Sequence, residues 1–393
     1  MYFSLKRVLK IVFTGALVLA ALVLLNLFIF RMHDENETRI RGFYMEPKDS
    51  IDVALIGASD LYFAYSPVTA YEEYGYTSYL YSISANSADL WIDELKQVER
   101  TQHPKLYVFD LDNAAHGCSA DPDSTLRYLT DNMPPSKERA ELINRYVDKN
   151  NEDGRLSYYI PFFKFHSDYP ESFQDLKIRV MNSALRYKRG YTLLKGGALR
   201  TKTLRDDGLF DPKDITEKEE TSAQETKVLQ EFLEYCKSSG IRNVLFIRTP
   251  HAHSDSGEEG SADYTESLKV NNAMADMIRS YGYDYVNYDG DYGSYGLDLH
   301  SDFAEYAHVN AKGCAVFTKA LGKLLADTYH VKGDHSALVT KEWESCHAFN
   351  DQFMRYGIEK CTENAAAKDD ESEDATDLWL WETWKWMPEI DGR

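Results

Sequence analysis

Along this chain, short runs of β type alternate with stretches whose apolar residues recur at helical spacing. The runs are 53–58 (beginning Val53-Ala54-Leu55-Ile56), 78–83, Leu106-Tyr107-Val108-Phe109-Asp110, Val244-Leu245-Phe246-Ile247 and 283–288. Between them, Ser66-Pro67 reads as a helix start, with Ser as N-cap and Pro in the first turn. Trp91, Leu95 and Val98 stand at i, i+4 and i+7, the face of a helix over 88–101. Further helices are predicted near 222–238, 265–281 and 311–327. The last carries Val316, Phe317, Ala320, Leu321, Leu324 and Leu325 on one face. Strand–helix–strand alternation of this kind predicts an α/β fold with a parallel sheet and right-handed crossovers.

Three segments break the rhythm. At the N-terminus, Lys6, Arg7 and Lys10 precede an uncharged run from Ile11 to Phe30, closed by Arg31. At ~1.5 Å per residue this run spans about 30 Å, the thickness of a bilayer's hydrocarbon. The basic flank favours a cytoplasmic N-terminus, and no small-residue cleavage site follows. The expected organisation is a cytoplasmic 1–10, a single-pass signal anchor over 11–31, a polar stalk over 32–50 and an extracytoplasmic α/β domain over 51–330. Residues 113–225, with the aromatic patch Tyr158-Tyr159-Ile160-Pro161-Phe162-Phe163, read as a large insertion covering the substrate side of the sheet. Residues 331–393 form a C-terminal extension with an acidic run, 369–374, and then Trp379, Trp381, Trp384 and Trp386. That tail reads either as a docking segment for a membrane interface or partner, or as an aromatic element packed on its own domain.

Composition narrows the function classes. The net charge of −20 argues against nucleic acid, which demands a basic footprint. The 28 tyrosines suit a carbohydrate- or polymer-facing surface, and equally the filling of strands and loops. Cys118, Cys236, Cys314, Cys346 and Cys361 show no metal-ligand spacing. Cys346 and Cys361 are the pair open to oxidation outside the cytoplasm; otherwise all are small hydrophobes. No metal and no cofactor are expected.

The candidate chemistry is a serine answered by a remote histidine. Gly57-Ala58-Ser59-Asp60 ends the first strand, where a tight turn holds a hydroxyl clear of the sheet and aims backbone N–H groups at a developing oxyanion. Before the last helix, the run from Asp302 through Glu305 and His308 to Asn310 supplies a base and two carboxylates, Glu305 and Asp302, to orient it. Two other signals are weaker. Asp110 and Asp112 are spaced like the Asp-x-Asp of aspartyl-phosphate phosphatases, but no ordered set of downstream Lys and acidic motifs follows. They read as carboxylates lining a cleft. His251-Ala252-His253 with Asp255 reads as an exposed loop after Pro250 rather than a metal site. The Tyr-rich 281–295 stretch reads as a glycan-contacting loop or as a strand with turns.

The two ends of this pattern resemble the SGNH/GDSL hydrolase superfamily, most closely its membrane-anchored branch that accompanies membrane-bound O-acyltransferases in teichoic-acid D-alanylation and alginate acetylation. That branch opens with a strand and Gly-x-Ser-[His/Asp] and closes with Asp-Phe-x-Asp-x-x-His-Leu-Asn-x-x-Gly. Here the closing block is Asp302-Phe303-Ala304-Glu305-Tyr306-Ala307-His308-Val309-Asn310-Ala311-Lys312-Gly313, with Glu305 where Asp is usual. Between them, Ile83-Ser84-Ala85-Asn86-Ser87 and Pro104-Lys105-Leu106-Tyr107-Val108-Phe109-Asp110 fit the family's middle. The resemblance covers roughly 50–330. It implies a flavodoxin-like three-layer sandwich, Ser59 as nucleophile, His308 as base and Glu305 or Asp302 as its orienting acid. It also implies an oxyanion site from the Asp60 N–H with Asn86 as side-chain donor, although Asn86 reads equally as a turn residue. The implied activity is that of a serine esterase or acyltransferase on acetyl or D-alanyl groups of a cell-envelope polymer or glycan. The implied partner is a polytopic membrane-bound O-acyltransferase. A non-catalytic envelope scaffold or glycan-binding protein on the same fold is the alternative.

Overall fold

Among the described residues, seven strands form in chain order: β1 (Val53–Ile56), β2 (Ser78–Leu80), β3 (Leu106–Asp110), β4 (Leu209–Phe210), β5 (Val244–Arg248), β6 (His253–Ser254) and β7 (Asp284–Asn287). The computed structural model describes residues 5–30, 35–116, 124–147, 154–160, 162–185, 193–258, 260 and 263–366. Five strands make one parallel sheet in the order β2-β1-β3-β5-β7, while β4 and β6 pair as a small antiparallel ribbon. The chain steps outward from β1 to β2 and then back across β1 to β3. The crevice beyond the carboxyl ends of β1 and β3 is therefore the topological switch point, where open α/β sheets bind ligands.

Period-two alternation sorts the strand residues onto two faces. Val53, Leu55, Val108, Leu245 and Ile247 join Phe317, Leu321 and Leu325 of the helix Ala311–Asp327 in one buried cluster. On the other face Phe109 and Phe246 meet Trp91 of the helix Trp91–Glu99 and Phe232 of the helix Ala223–Ser238, with ring centroids 4.7–6.1 Å apart. Helices on both faces of a parallel sheet make a three-layer α/β architecture.

The predicted strands and core helices form close to their expected positions. Ser66 caps Pro67–Tyr74 by accepting from Thr69 N, and Ser222 with Glu225 closes a reciprocal capping box on Ala223–Ser238. The expected stalk is different. Residues Glu35–Phe43 are a helix with Ile40 and Phe43 fully buried, and its Arg39 guanidinium lies 3.4 Å from the Tyr62 ring centroid. Its polar average concealed two apolar anchors and a stem that packs on an aromatic face.

The expected 113–225 insertion is divided. Residues 135–190 group with 1–34 as one compact unit, and 35–134 with 191–393 as the other. In the first unit, the helix Leu5–Leu25 has a mean hydropathy of 2.6, long and apolar enough to cross a membrane or to serve as a signal sequence. In the second, the helices Ala337–Glu344 and His347–Ala366 continue beyond the expected domain end. Phe349, Phe353 and Cys361 pack there on Leu199, Ala311 and Cys314. Cys346 and Cys361 are both free and buried; Cys346 precedes one long helix and Cys361 lies within it, which keeps them apart. Cys118, Pro161, the acidic run and the four clustered tryptophans lie outside the described residues.

Candidate functional site

The turn after β1 requires a residue without a side chain. A Cβ on Gly57 would sit 2.7 Å from Leu61 Cδ2 and 3.0 Å from Asp110 Cβ, so any larger residue would push the new helix off the end of β3. Ala58 stays extended as N-cap, and the helix Ser59–Ala64 begins at once. Ser59 is half-buried in the first turn, and its hydroxyl makes no hydrogen bond among the described residues. Phe63, four residues on and therefore on the same helix face, meets the His308 imidazole edge to face at 5.2 Å and 76°.

The histidine block is built as a self-bonded loop. Ala304 N donates to the His308 carbonyl at 2.9 Å, Asn310 N to Asp302 O at 2.9 Å, and Phe303 bridges to Val309. Asn310 ties this loop to the helix behind it. Its Oδ1 accepts from Lys312 N and Gly313 N as the N-cap of Ala311–Asp327, while its Nδ2 donates to Ser301 O, Phe303 O and Lys202 O. Gly313 lets the helix approach, because a Cβ there would lie 2.3 Å from Asp302 O. Each fixed position of the block thus has a local mechanical cause.

Within the loop, the Nδ1 of His308 is hydrogen-bonded to Glu305 Oε1, and its Nε2 is buried without a hydrogen-bond partner. The bond with His308 holds the Glu305 carboxyl below its ordinary range, against the opposing effect of partial burial. Arg200 supports the pair: its Nη2 lies 3.4 Å from Glu305 Oε1, and its guanidinium stacks 4.6 Å from the Phe63 ring centroid. Asp302, the other carboxylate considered, closes its own turn by accepting from Asp298 N at 2.9 Å and Ser301 Oγ at 2.7 Å. Between Glu305 and Asp302, only Glu305 reaches the imidazole.

No hydrogen bond joins Ser59 to His308. Asn86 has its amide nitrogen already engaged, with the Gly57 carbonyl at 3.2 Å and the Glu94 carboxyl at 3.0 and 3.1 Å, and its Oδ1 accepts from Ser87 N. It holds the Gly57 turn rather than offering a free donor. Arg200 and Phe63 were not singled out in the sequence, because their roles depend on packing between segments remote in the chain.

Behind Ser59 lies a buried polar cluster. The Asp60 carboxylate is next to Asp110 at the end of β3, and Asp112, two residues on, bonds the Arg248 guanidinium from the end of β5. Burial alone would raise the Asp60 carboxyl. The neighbouring His251 imidazole, the charge of His308 and a hydrogen bond with Asp110 hold it down at about 2. Burial and the charges of Asp60 and Asp112 push the Asp110 carboxyl well up. Arg248 also binds Asp289 Oδ2 at 2.7 Å and Ser267 Oγ at 2.9 Å.

His251 and His253 are both fully buried, which corrects the expected exposed loop. The segment is strapped inward by Ala252 N donating to Tyr306 O and by the pairing of β6 with β4. Both imidazoles face Asp289, His253 Nε2 at 3.0 Å and His251 Nδ1 at 3.6 Å. Asp255, the third residue of that pattern, lies beyond the paired strand. The Tyr-rich stretch after β7 likewise packs inward, with Tyr288 and Tyr292 buried in the core.

Compared with protein-family models and with curated proteins, the chain matches none.

Proposed function

We propose that this protein is an SGNH-type serine esterase or O-acyltransferase, anchored by its N-terminal helix, with its α/β unit outside the cytoplasm. The observation that carries this reading is His308. A carboxylate partner on Nδ1 fixes the tautomer that leaves Nε2 as the free base, and Nε2 is buried, unpaired and set against the Ser59 helix through Phe63. The sheet order supports it, because Ser59 lies at the switch-point crevice.

In this mechanism His308 Nε2 takes the Ser59 proton as Oγ adds to an acyl carbonyl, and the hydrogen bond between them forms with substrate in place. The Asp60 N–H, in the unpaired first turn of the helix, donates to the oxyanion. Collapse expels the alcohol, which takes the proton from His308, and leaves acyl-Ser59. Water or a polymer hydroxyl then takes the acyl group by the reverse steps. Glu305 stabilises the imidazolium throughout. The acceptor class is a cell-envelope polymer or glycan, carrying acetyl or D-alanyl esters, with a polytopic O-acyltransferase as donor partner.

Labelling the full-length detergent-solubilised protein with a fluorophosphonate probe tests the proposal. Label is expected on Ser59, absent in Ser59→Ala and strongly slowed in His308→Ala. A folded wild-type protein that stays unlabelled would favour a non-catalytic envelope scaffold or glycan-binding protein.

A further inference from the structure

The cluster beneath Ser59 holds a second arrangement, independent of acyl transfer. His251 is fully buried and stacks on Tyr264 at 4.6 Å and 14°, yet neither ring nitrogen has a hydrogen-bond partner. A buried imidazole is destabilised unless its nitrogens are engaged, and here carboxylate oxygens at 3.6–3.8 Å face them without closing a hydrogen bond. Its Nε2 points at two carboxylate oxygens, Asp60 Oδ2 at 3.7 Å and Asp112 Oδ2 at 3.8 Å. Both gaps exceed a hydrogen bond. They approach the roughly 3.4 Å that separates two ligand atoms sharing one tetrahedral zinc. The three donor atoms all lie within 4.8 Å of one another.

We propose that Asp60, Asp112 and His251 form a divalent-cation site, of the N/O class that suits Zn²⁺, directly beneath the Ser59 turn. The surroundings are those of a supported metal ligand set. Asp289 faces His251 from the far side, at 3.6 Å from Nδ1, the carboxylate–histidine–metal relay that fixes tautomer and ring orientation. Asp289 is itself held by Arg248 Nε, His253 Nε2 and the Tyr292 hydroxyl. Asp112 is held by Arg248 and by Asn271 Nδ2 at 2.9 Å. The cation would add positive charge beside Asp60 and Asp112, in a cluster where Asp112 and Asp289 already share the Arg248 guanidinium. Three protein ligands leave a coordination position for water or for a substrate oxygen, the pattern of catalytic rather than structural zinc. Asp60 follows Ser59 directly, so the ion would lie beside the crevice.

Zinc titration of the chelator-stripped full-length protein, followed by calorimetry, tests this without any turnover. One Zn²⁺ per chain is expected, with affinity reduced more than about 100-fold in His251→Gln and unchanged in His308→Gln. X-ray absorption of the wild-type zinc complex should show one imidazole with oxygen ligands and no sulfur, which decides the matter even if His251→Gln fails to fold. Absence of stoichiometric Zn²⁺ binding by the folded wild type overturns the site. So does undiminished binding by folded His251→Gln, or a ligand shell containing sulfur or several imidazoles. Because Ser59 labelling plays no part in this readout, either proposal can fail without the other.

Discussion

The imidazole of His308 meets the ring of Phe63 edge to face at 5.2 Å, and Phe63 stands one helical turn beyond Ser59. One aromatic contact thereby joins two segments some 250 residues apart in the chain. Arg200 also lies over that ring and reaches Glu305, so His308, Glu305 and the Ser59 helix share a single support.

Phe63 is therefore expected to matter twice. Phe63→Ala should destabilise the protein by about 3–5 kcal/mol, as for other buried large-to-small changes. Phe63→Leu, which preserves most of the volume, should unfold near the wild-type denaturant midpoint while labelling at Ser59 slows. Equal labelling rates in wild type and Phe63→Leu would show that the ring does not position His308.

Glu305 and Asp302 should separate cleanly. Glu305→Gln preserves shape but removes the charge that fixes the tautomer, and fluorophosphonate labelling should slow by about 10²–10⁴-fold. Asp302→Asn should leave the labelling rate near wild type and cost about 1 kcal/mol in urea unfolding through its weakened turn. The opposite ranking would make Asp302 the orienting acid.

The two glycines that flank the site are predicted to resist substitution. Gly57→Ala places a methyl against Leu61 and Asp110, and Gly313→Ala places one against the Asp302 carbonyl. Each should cost about 1–3 kcal/mol, read as a lower thermal midpoint. Gly240→Ala, by contrast, meets no neighbour within 4 Å, though its φ of +74° still strains the backbone; it should cost only about 1 kcal/mol.

Glu94 supplies a pH signature. Buried beneath Asn86, its carboxyl is pushed up to about 8 by desolvation, with Asp93 and Asp89 adding to the shift. The folded state then holds a proton that the unfolded chain releases near the ordinary glutamate value of 4.5. This stability is complete below pH ~4.5 and is lost as pH rises through about 8, at up to about 1.4 kcal/mol per unit within that window. Glu94→Gln should flatten that part of the stability–pH curve, measured by urea midpoints between pH 5 and pH 9. An unchanged slope would mean that Glu94 is ionised in the fold.

Much of the architecture was legible because it rests on local rules. Strands β1, β3 and β5 are apolar runs ended by Gly or polar residues, and the helix Ala311–Asp327 shows its buried face directly in its spacing. The Ser59 turn and the His308 block were visible for the same reason: a glycine, an N-cap and a fixed loop spacing are all short-range devices. Averages misled elsewhere. Helix Glu35–Phe43 looked like a solvated stalk because its charged residues outnumber its apolar anchors. His251 and His253 looked exposed because nothing adjacent in the chain shows that Tyr306 and strand β4 hold their segment inward.

By itself, then, the sequence determined the α/β alternation, the apolar N-terminal helix, and the serine and histidine at two element ends. These follow from neighbours within a few residues, where periodicity, capping and turn geometry act. Only the tertiary structure decided that Glu305 rather than Asp302 meets His308, and that Asn86 is spent on the Gly57 turn. It alone also brought Asp60, Asp112 and His251 around one point. The reason is geometric: a side chain's partner depends on where separate strands end in space, and three-dimensional proximity between remote segments leaves no period in the chain.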